Sequence, residues 1–377
     1  MNIQLTEEQE MLRSSARGFV DKECPTTLVR QIEDSESGYS PELWKKMAAL
    51  GWMGLAIPGE YEGTGGSFLD LVLLIEEMGR GCLSGPFLST VAVAAMAIAA
   101  AGTERQKQEL LPQIARGEKI LTLALTEPGG GWDADSIRIS ANAMNDYYVI
   151  SGTKLFVEDV SITDYVLCVA RTNNDDGSEN GITVFLLNTA SLGLKYSSFN
   201  TIGGTQQYEV VFDSVVVPAT NIIGEPDNGR TVVRHMLDWG AIAKCAEMIG
   251  AARQVVDMTV AHAKERIAYE RPIASFQVVQ HLCVDMLTYV DTSRNITYEA
   301  AWRLSEELPC AQQVAAAKAW TNEAYVRITK MGTHLHGAIG FTRDHDIGLY
   351  YRRAKAAQLA FGDSDYHLEV MARELGL

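Results

Sequence analysis

Tyr165-Val166-Leu167-Cys168-Val169 and, beyond a polar turn from Arg171 to Gly181, Ile182-Thr183-Val184-Phe185-Leu186-Leu187 are two short apolar runs rich in β-branched and aromatic residues. Runs of this length around a glycine-containing polar turn predict an antiparallel hairpin. Tyr147-Tyr148-Val149-Ile150, Tyr208-Glu209-Val210-Val211-Phe212 and Val215-Val216-Val217-Pro218 carry the same signature. Residues 121–223 therefore read as a β domain.

On both sides of it the hydrophobic period changes to that of helices. Residues 1–120 hold the capping box Thr6-Glu7-Glu8-Gln9, the Ser40-Pro41 start, and Ser67-x-x-Asp70 ahead of the apolar run Leu71 to Met78. Each is a helix N-terminus signal, and Gly51, Pro58, Gly63 and Gly85-Pro86 punctuate the stretch. After Gly229, long helical patterns cover Thr231 to Ile267, Phe276 to Glu307, Pro309 to Leu335 and a last segment from about Ile347, so residues 224–377 read as a helical bundle.

Composition narrows the function classes. Among 377 residues, 48 are acidic and 32 basic, a formal charge of −16, which gives no support to nucleic acid or an anionic membrane as partner. Phe87 to Ala101, the most apolar stretch, is shorter than the ~20 residues a membrane span needs and reads as a buried helix. The start shows no basic region followed by an apolar core, and the six cysteines lack C-x-x-C spacing, so reduced thiols in a cytoplasmic protein are expected. His334 and His336 sit at i,i+2, off a common helix face and without a suitably spaced third ligand, so no metal is expected.

Four local motifs, in order along the chain, resemble those of acyl-CoA dehydrogenases. Leu123-Ala124-Leu125-Thr126-Glu127-Pro128-Gly129-Gly130-Gly131-Trp132-Asp133 resembles that family's T-E-P-x-x-G-S-D segment, and Gly152-Thr153-Lys154-Leu155-Phe156-Val157 its G-x-K-x-W-I segment. Arg266 to Ile273 with Phe276-Gln277 resembles R-x-x-F-G-x-x-I with F-Q, and His334 to Phe341 resembles Q-x-x-G-G-x-G-F. Alone, the Gly129–Gly131 run is a plain loop and Arg266 a solvated helix residue; the order and spacing of all four carry the likeness.

The resemblance implies an acyl-CoA dehydrogenase-like fold: an N-terminal α-helical domain, a middle antiparallel β domain and a C-terminal four-helix bundle with the oligomer contacts. It implies FAD as cofactor and α,β-dehydrogenation of an acyl-CoA, with electrons passed to electron-transfer flavoprotein. Leu125, Thr126 and Phe156 are expected on the flavin, with Glu158 where the family has a threonine that bonds flavin N5. Arg266 is expected on the pyrophosphate of a neighbouring subunit's FAD, since a guanidinium fork fits phosphate oxygens. Tyr269, Phe276, Gln277, His334, Gly337, Ala338, Asp363 and Asp365 are assigned to the same cofactor, and Trp132 and Asp238 to the substrate.

One residue type is missing where the resemblance requires it. A carboxylate must remove the α-proton of the thioester as hydride leaves the β-carbon. The family's usual Glu aligns with Phe361 in Ala360-Phe361-Gly362-Asp363-Ser364, and a second family position aligns with Gly240 in Leu237-Asp238-Trp239-Gly240-Ala241. The backbone N–H of Phe361 remains available to polarise a thioester carbonyl. Glu158, Glu247, Asp238 and Asp363 are the in-chain substitutes considered, Glu247 lying two helical turns beyond Gly240. The ending Phe361-Gly362-Asp363-x-x-x-His367 resembles a bacterial branch whose members include partners in α2β2 complexes acting on bulky acyl-CoAs. Three readings follow: a subunit needing a Glu-bearing homologue; a homotetramer with a substitute base or a β-elimination chemistry such as desulfination; and a non-catalytic structural paralogue.

Overall fold

The computed structural model describes residues 4–172 and 181–377. The Asp175-Asp176 pair of the polar turn lies outside the described residues.

Six α-helices form the N-terminal part: α1 (Glu7–Glu23), α2 (Thr26–Glu33), α3 (Pro41–Ala49), α4 (Phe68–Arg80), α5 (Met96–Ala101) and α6 (Glu104–Ala115). The Thr6 and Ser67 capping boxes are both made, Thr6 Oγ1 accepting from Gln9 N at 3.2 Å and Ser67 Oγ from Asp70 N at 3.2 Å. Helix α4 is buried on every face from Leu71 to Gly79, which explains its lack of a polar stripe. Its two carboxylates find partners there: Glu76 accepts from Arg294 and Tyr298, and Glu77 from Arg17. The apolar stretch after Gly85-Pro86 is buried as expected, but its first part, Leu88–Ala95, is a π-helix, a wider turn that recurs at functional sites.

Among the described residues eight strands follow: β1 (Leu121–Ala124), β2 (Ser140–Met144), β3 (Tyr147–Glu158), β4 (Tyr165–Arg171), β5 (Ile182–Asn188), β6 (Leu194–Phe199), β7 (Gln207–Pro218) and β8 (Ile222–Ile223). Their order is β6-β7-β3-β2-β4-β5-β8, with β1 parallel to β4. The opening hairpin is present: β4 and β5 pair antiparallel, Cys168 opposite Phe185, and nearly every residue of both is buried. Strand β3 breaks register with β7 between Lys154 and Val157. Inside that break Phe156 adopts a left-handed φ of 56°, and the irregularity turns its ring outward, 54% exposed.

The C-terminal part holds α7 (Arg230–Glu265), a hairpin of β9 (Ile267–Ala268) and β10 (Arg271–Pro272), then α8 (Gln277–Ser305), α9 (Ala311–His336), α10 (Ile347–Ala357) and α11 (Ser364–Glu374). Three long helices pack together. The single last helix expected from Ile347 is instead two, because Phe361 (φ 55°) and Gly362 (φ 99°) are left-handed and no helix continues through them. Asp363 restarts the helix, its Oδ1 accepting from Tyr366 N at 2.8 Å.

Candidate active site

Where the β domain meets α7 and the turn between α10 and α11, a cavity of about 570 Å³ opens. Strand β3 delivers Leu155, Phe156 and Glu158 to it; the loop after β1 delivers Leu125, Thr126 and Trp132; the π-helix delivers Ser89 and Val93. Two sequence motifs meet through a buried ion pair. Lys154 Nζ donates to Leu125 O and to Glu127 Oε1, each at 2.8 Å, while the Glu127 carboxylate accepts from Arg138 N at 2.8 Å and from Ile139 N at 3.2 Å. Leu155 N donates to Thr126 O at 2.8 Å, locking the loop to the strand. Glu127 and Lys154 thus fix the wall while Thr126 and Phe156 face the space.

On the opposite side stands Phe361. Its ring fills the place beside Gly240, where an added Cβ would lie 2.3 Å from Phe361 Cε1. The turn is clamped from behind. His367 Nε2–H donates to Phe361 O at 2.8 Å, and Lys318 Nζ donates to Gly362 O at 3.1 Å and to Asn322 Oδ1 at 2.6 Å. Burial pushes His367 down to about 4, so the ring is neutral at ordinary pH and keeps this role. Phe361 N–H meets no backbone acceptor among the described residues, which leaves it available to a ligand.

Helix α7 contributes charge. Lys244 is 6% exposed, lines the cavity, and donates to Glu247 Oε2 at 2.9 Å. Burial opposes its charge, but Glu247 and Glu158 outweigh burial and raise its pKa. Next to Glu158, Asp159 is held well above the usual carboxylate range by burial and by that neighbour.

Asp238 lines not this cavity but a second cleft of about 230 Å³, with Asp133, Arg230, Arg234, Tyr366 and Arg373. Burial pushes it up to about 6. Arg266, Tyr269, Phe276, Gln277, His334, Gly337, Ala338 and Asp365 reach neither space. They cluster instead around the β9–β10 hairpin and the end of α9, apart from Asp365 in the first turn of α11. Tyr269 is 90% exposed, and a Cβ on Gly337 would meet open space. Of the predicted residues, Leu125, Thr126, Trp132, Phe156, Glu158, Glu247, Phe361 and Asp363 share one cavity. Lys244 was missed, since a lone lysine one turn after Gly240 carries no sign of its burial in the sequence. Among the described residues no group of His, Cys, Asp and Glu is placed to hold a metal.

The walls suit a flavin. Phe156 offers an open aromatic face in a largely apolar setting of Leu125, Trp132, Leu155 and Phe199, with the Thr126 hydroxyl at its edge. A planar ring with a polar rim fits those residues.

Helical domain, twisted β domain and helical bundle closing over such a cavity define a flavoprotein oxidoreductase. The chain belongs to the acyl-CoA dehydrogenase family: residues 6–118, 122–215 and 227–376 match its N-terminal, middle and C-terminal domains. It is 32% identical over 380 residues to a probable acyl-CoA dehydrogenase of Bacillus subtilis, covering 100% of both. It is 30% identical to the CarC subunit of the caffeyl-CoA reductase-Etf complex of Acetobacterium woodii, covering 97% of this chain and 98% of that one. The structure of butyryl-CoA dehydrogenase from Megasphaera elsdenii superposes with a TM-score of 0.93 at 28% identity, over 100% of each chain. FAD is the cofactor of this fold, and the chain is an oxidoreductase of the family.

Proposed function

We propose that the chain oxidises the α,β bond of an acyl-CoA thioester of bulky or unusual acyl group, with Phe361 at the family's base position and Glu247 as the in-chain carboxylate that takes the α-proton. The observation that carries this is the shared cavity: the free N–H of Phe361, the ring site of Phe156 and Thr126, and the Glu247 carboxylate all border it. FAD, when bound, supplies the acceptor for the β-hydride. Leu125, Thr126 and Phe156 hold its ring, and Phe361 N–H polarises the thioester carbonyl so that the α-proton becomes acidic. Arg230, Arg234 and Arg373 line the second cleft among Asp133, Asp238 and Glu374, and the CoA phosphates meet those three guanidinium groups there. The exposed Arg266 and Tyr269 then serve a neighbouring subunit's FAD in a tetramer. Electron-transfer flavoprotein is the proposed acceptor, a role supported by the likeness to a reductase-Etf complex subunit.

One observation favours a second version. Lys244 holds the Glu247 carboxylate in an ion pair at 2.9 Å, which occupies it, and a Glu carried by a homologous partner in an α2β2 assembly then serves as base.

The test is to purify the chain alone and with such a homologue, record the flavin spectrum, and add a panel of acyl-CoAs. Flavin bleaching by the chain alone, with Glu247→Gln lowering the bleaching rate about 10²-fold or more, supports the in-chain base. Bleaching only with the partner supports the second version, and absence of flavin from both preparations overturns the oxidoreductase reading.

A further inference from the structure

Among the described residues three lysines are buried, and they differ in how their ammonium groups are satisfied. An ammonium carries three N–H donors. Lys154 meets Leu125 O and Glu127 Oε1, and Lys318 meets Asn322 Oδ1, Gly362 O and, at 3.4 Å, Ala357 O. Lys244 has one acceptor among the described residues, Glu247 Oε2 at 2.9 Å. It is also the one of the three that lines the large cavity. Leaving donors of a buried charge unmade is expensive, and an alkyl chain laid against Lys244 would do that.

We propose that Lys244 recognises a neutral oxygen function, a ketone or hydroxyl, on the acyl chain about one helical turn from the thioester. This rests on the acyl-CoA reading above in its second version, with the base carried by a partner subunit, because Glu247 lies with Lys244 away from the thioester; it names that reading's substrate class. Position follows from α7: Lys244 is four residues beyond Gly240, roughly 6 Å along the axis, and Gly240 packs on Phe361, whose N–H anchors the thioester. The oxygen therefore sits about four or five carbons along an extended chain. Charge decides between neutral and anionic oxygens. Glu247 and Glu158 both act on the single Lys244 ammonium, so a carboxylate tail laid against Lys244 would bring a third negative group to that one cation. Of the other cations on the cavity, Arg353 is no substitute, because Glu33, Cys82 O and Ser84 Oγ hold its guanidinium, and Lys355 belongs to α10 rather than to the α7 face that carries Lys244 and Glu247. A ketone accepts from Lys244, and a hydroxyl can in addition donate to Glu247.

Calorimetric titration of the flavin-loaded protein with hexanoyl-CoA, 5-oxohexanoyl-CoA and adipoyl-CoA tests this. The wild type is expected to bind 5-oxohexanoyl-CoA about tenfold tighter than hexanoyl-CoA, in line with one hydrogen bond to a charged donor. Lys244→Met is expected to erase that preference. Equal affinity for these two thioesters in the wild type, persistence of the preference in Lys244→Met, or tightest binding of adipoyl-CoA would each overturn the proposal. Failure of all three to bind would instead overturn the acyl-CoA reading. Should Lys244→Met not fold, the wild type still decides: the carbon-13 resonance of a labelled 5-oxo group moves downfield on binding if Lys244 donates to it, and an unmoved resonance counts against it.

Discussion

Phe361 and Gly240 define each other. The two positions where the family's base is expected face one another across van der Waals distance, and the glycine is needed because the phenyl ring occupies the place of its Cβ. Phe361→Glu therefore puts a carboxylate into space that the ring now fills. Turnover of straight-chain acyl-CoAs with a dye acceptor is expected to appear or rise at least tenfold; unchanged turnover would mean that position 361 does not face the α-carbon. Behind the ring, His367 gives a pH dependence with a definite sign. Its folded value of about 4 lies below the ordinary 6.5, so the folded state resists protonation. Stability from this group is full above pH 6.5 and is lost as pH falls through 4, up to roughly 3 kcal/mol. Asp238, raised to about 6, works in the opposite sense over part of that window. The clean measurement is thus the difference between wild type and His367→Gln, whose amide still donates to Phe361 O. The variant is expected to gain relative stability in urea melts as pH drops below 6.5, and a pH-independent difference would contradict it. Thr126, Phe156 and Phe361 were legible in the sequence because motifs carry them. Lys244 was not, since one lysine in a helix is ordinarily solvated and its burial depends on what packs over α7.

Elements with a strong period were readable, and those without were not. Capping boxes at Thr6 and Ser67 and the long apolar pattern of α7 announce helices. Strand β6 escaped notice because its four central residues are exposed, and β2 because Ser140–Met144 is short and mostly exposed. Equally silent was the crossing of α4 on α7. A Cβ on Gly250 would lie 1.7 Å from Glu76 O, and one on Gly79 would lie 2.0 Å from Glu247 O. Backbone meets backbone at both points, so no side chain can swing aside. Gly250→Ala must push the helices apart, at a cost of 1–3 kcal/mol or more from overpacking. That shift also carries Lys244 and Glu247 away from the cavity. A lowered melting temperature together with at least tenfold weaker acyl-CoA binding is expected from Gly250→Ala. Lost stability with unchanged binding would show that the crossing supports the fold without setting the site.

At the scale of the molecule, a charge of −16 keeps copies apart while an apolar face on the C-terminal helices draws them together. Val278 (67% exposed), Val284 (61%) and Leu287 (37%) on α8, and Trp320 (41%) on α9, leave large side chains uncovered in one subunit. Tyr269 (90%), Phe341 (79%) and Ile339 (51%) are exposed as well, near the Arg266 region proposed to serve a neighbour's FAD. Burial of such side chains is worth about 1.5–3 kcal/mol each, enough to overcome repulsion once it is screened. Val284 and Leu287 share a helix face, so Val284→Asp with Leu287→Asp places charge in the middle of that contact. Sedimentation velocity is expected to show the wild-type chain as a tetramer that tightens as salt rises, and the double variant as a smaller species. Flavin absorbance should fall with the assembly if, as proposed, Arg266 reaches FAD across the interface. A dissociated variant that keeps its flavin would place the whole cofactor site within one subunit and remove the reason for Arg266 to stand so far from the cavity.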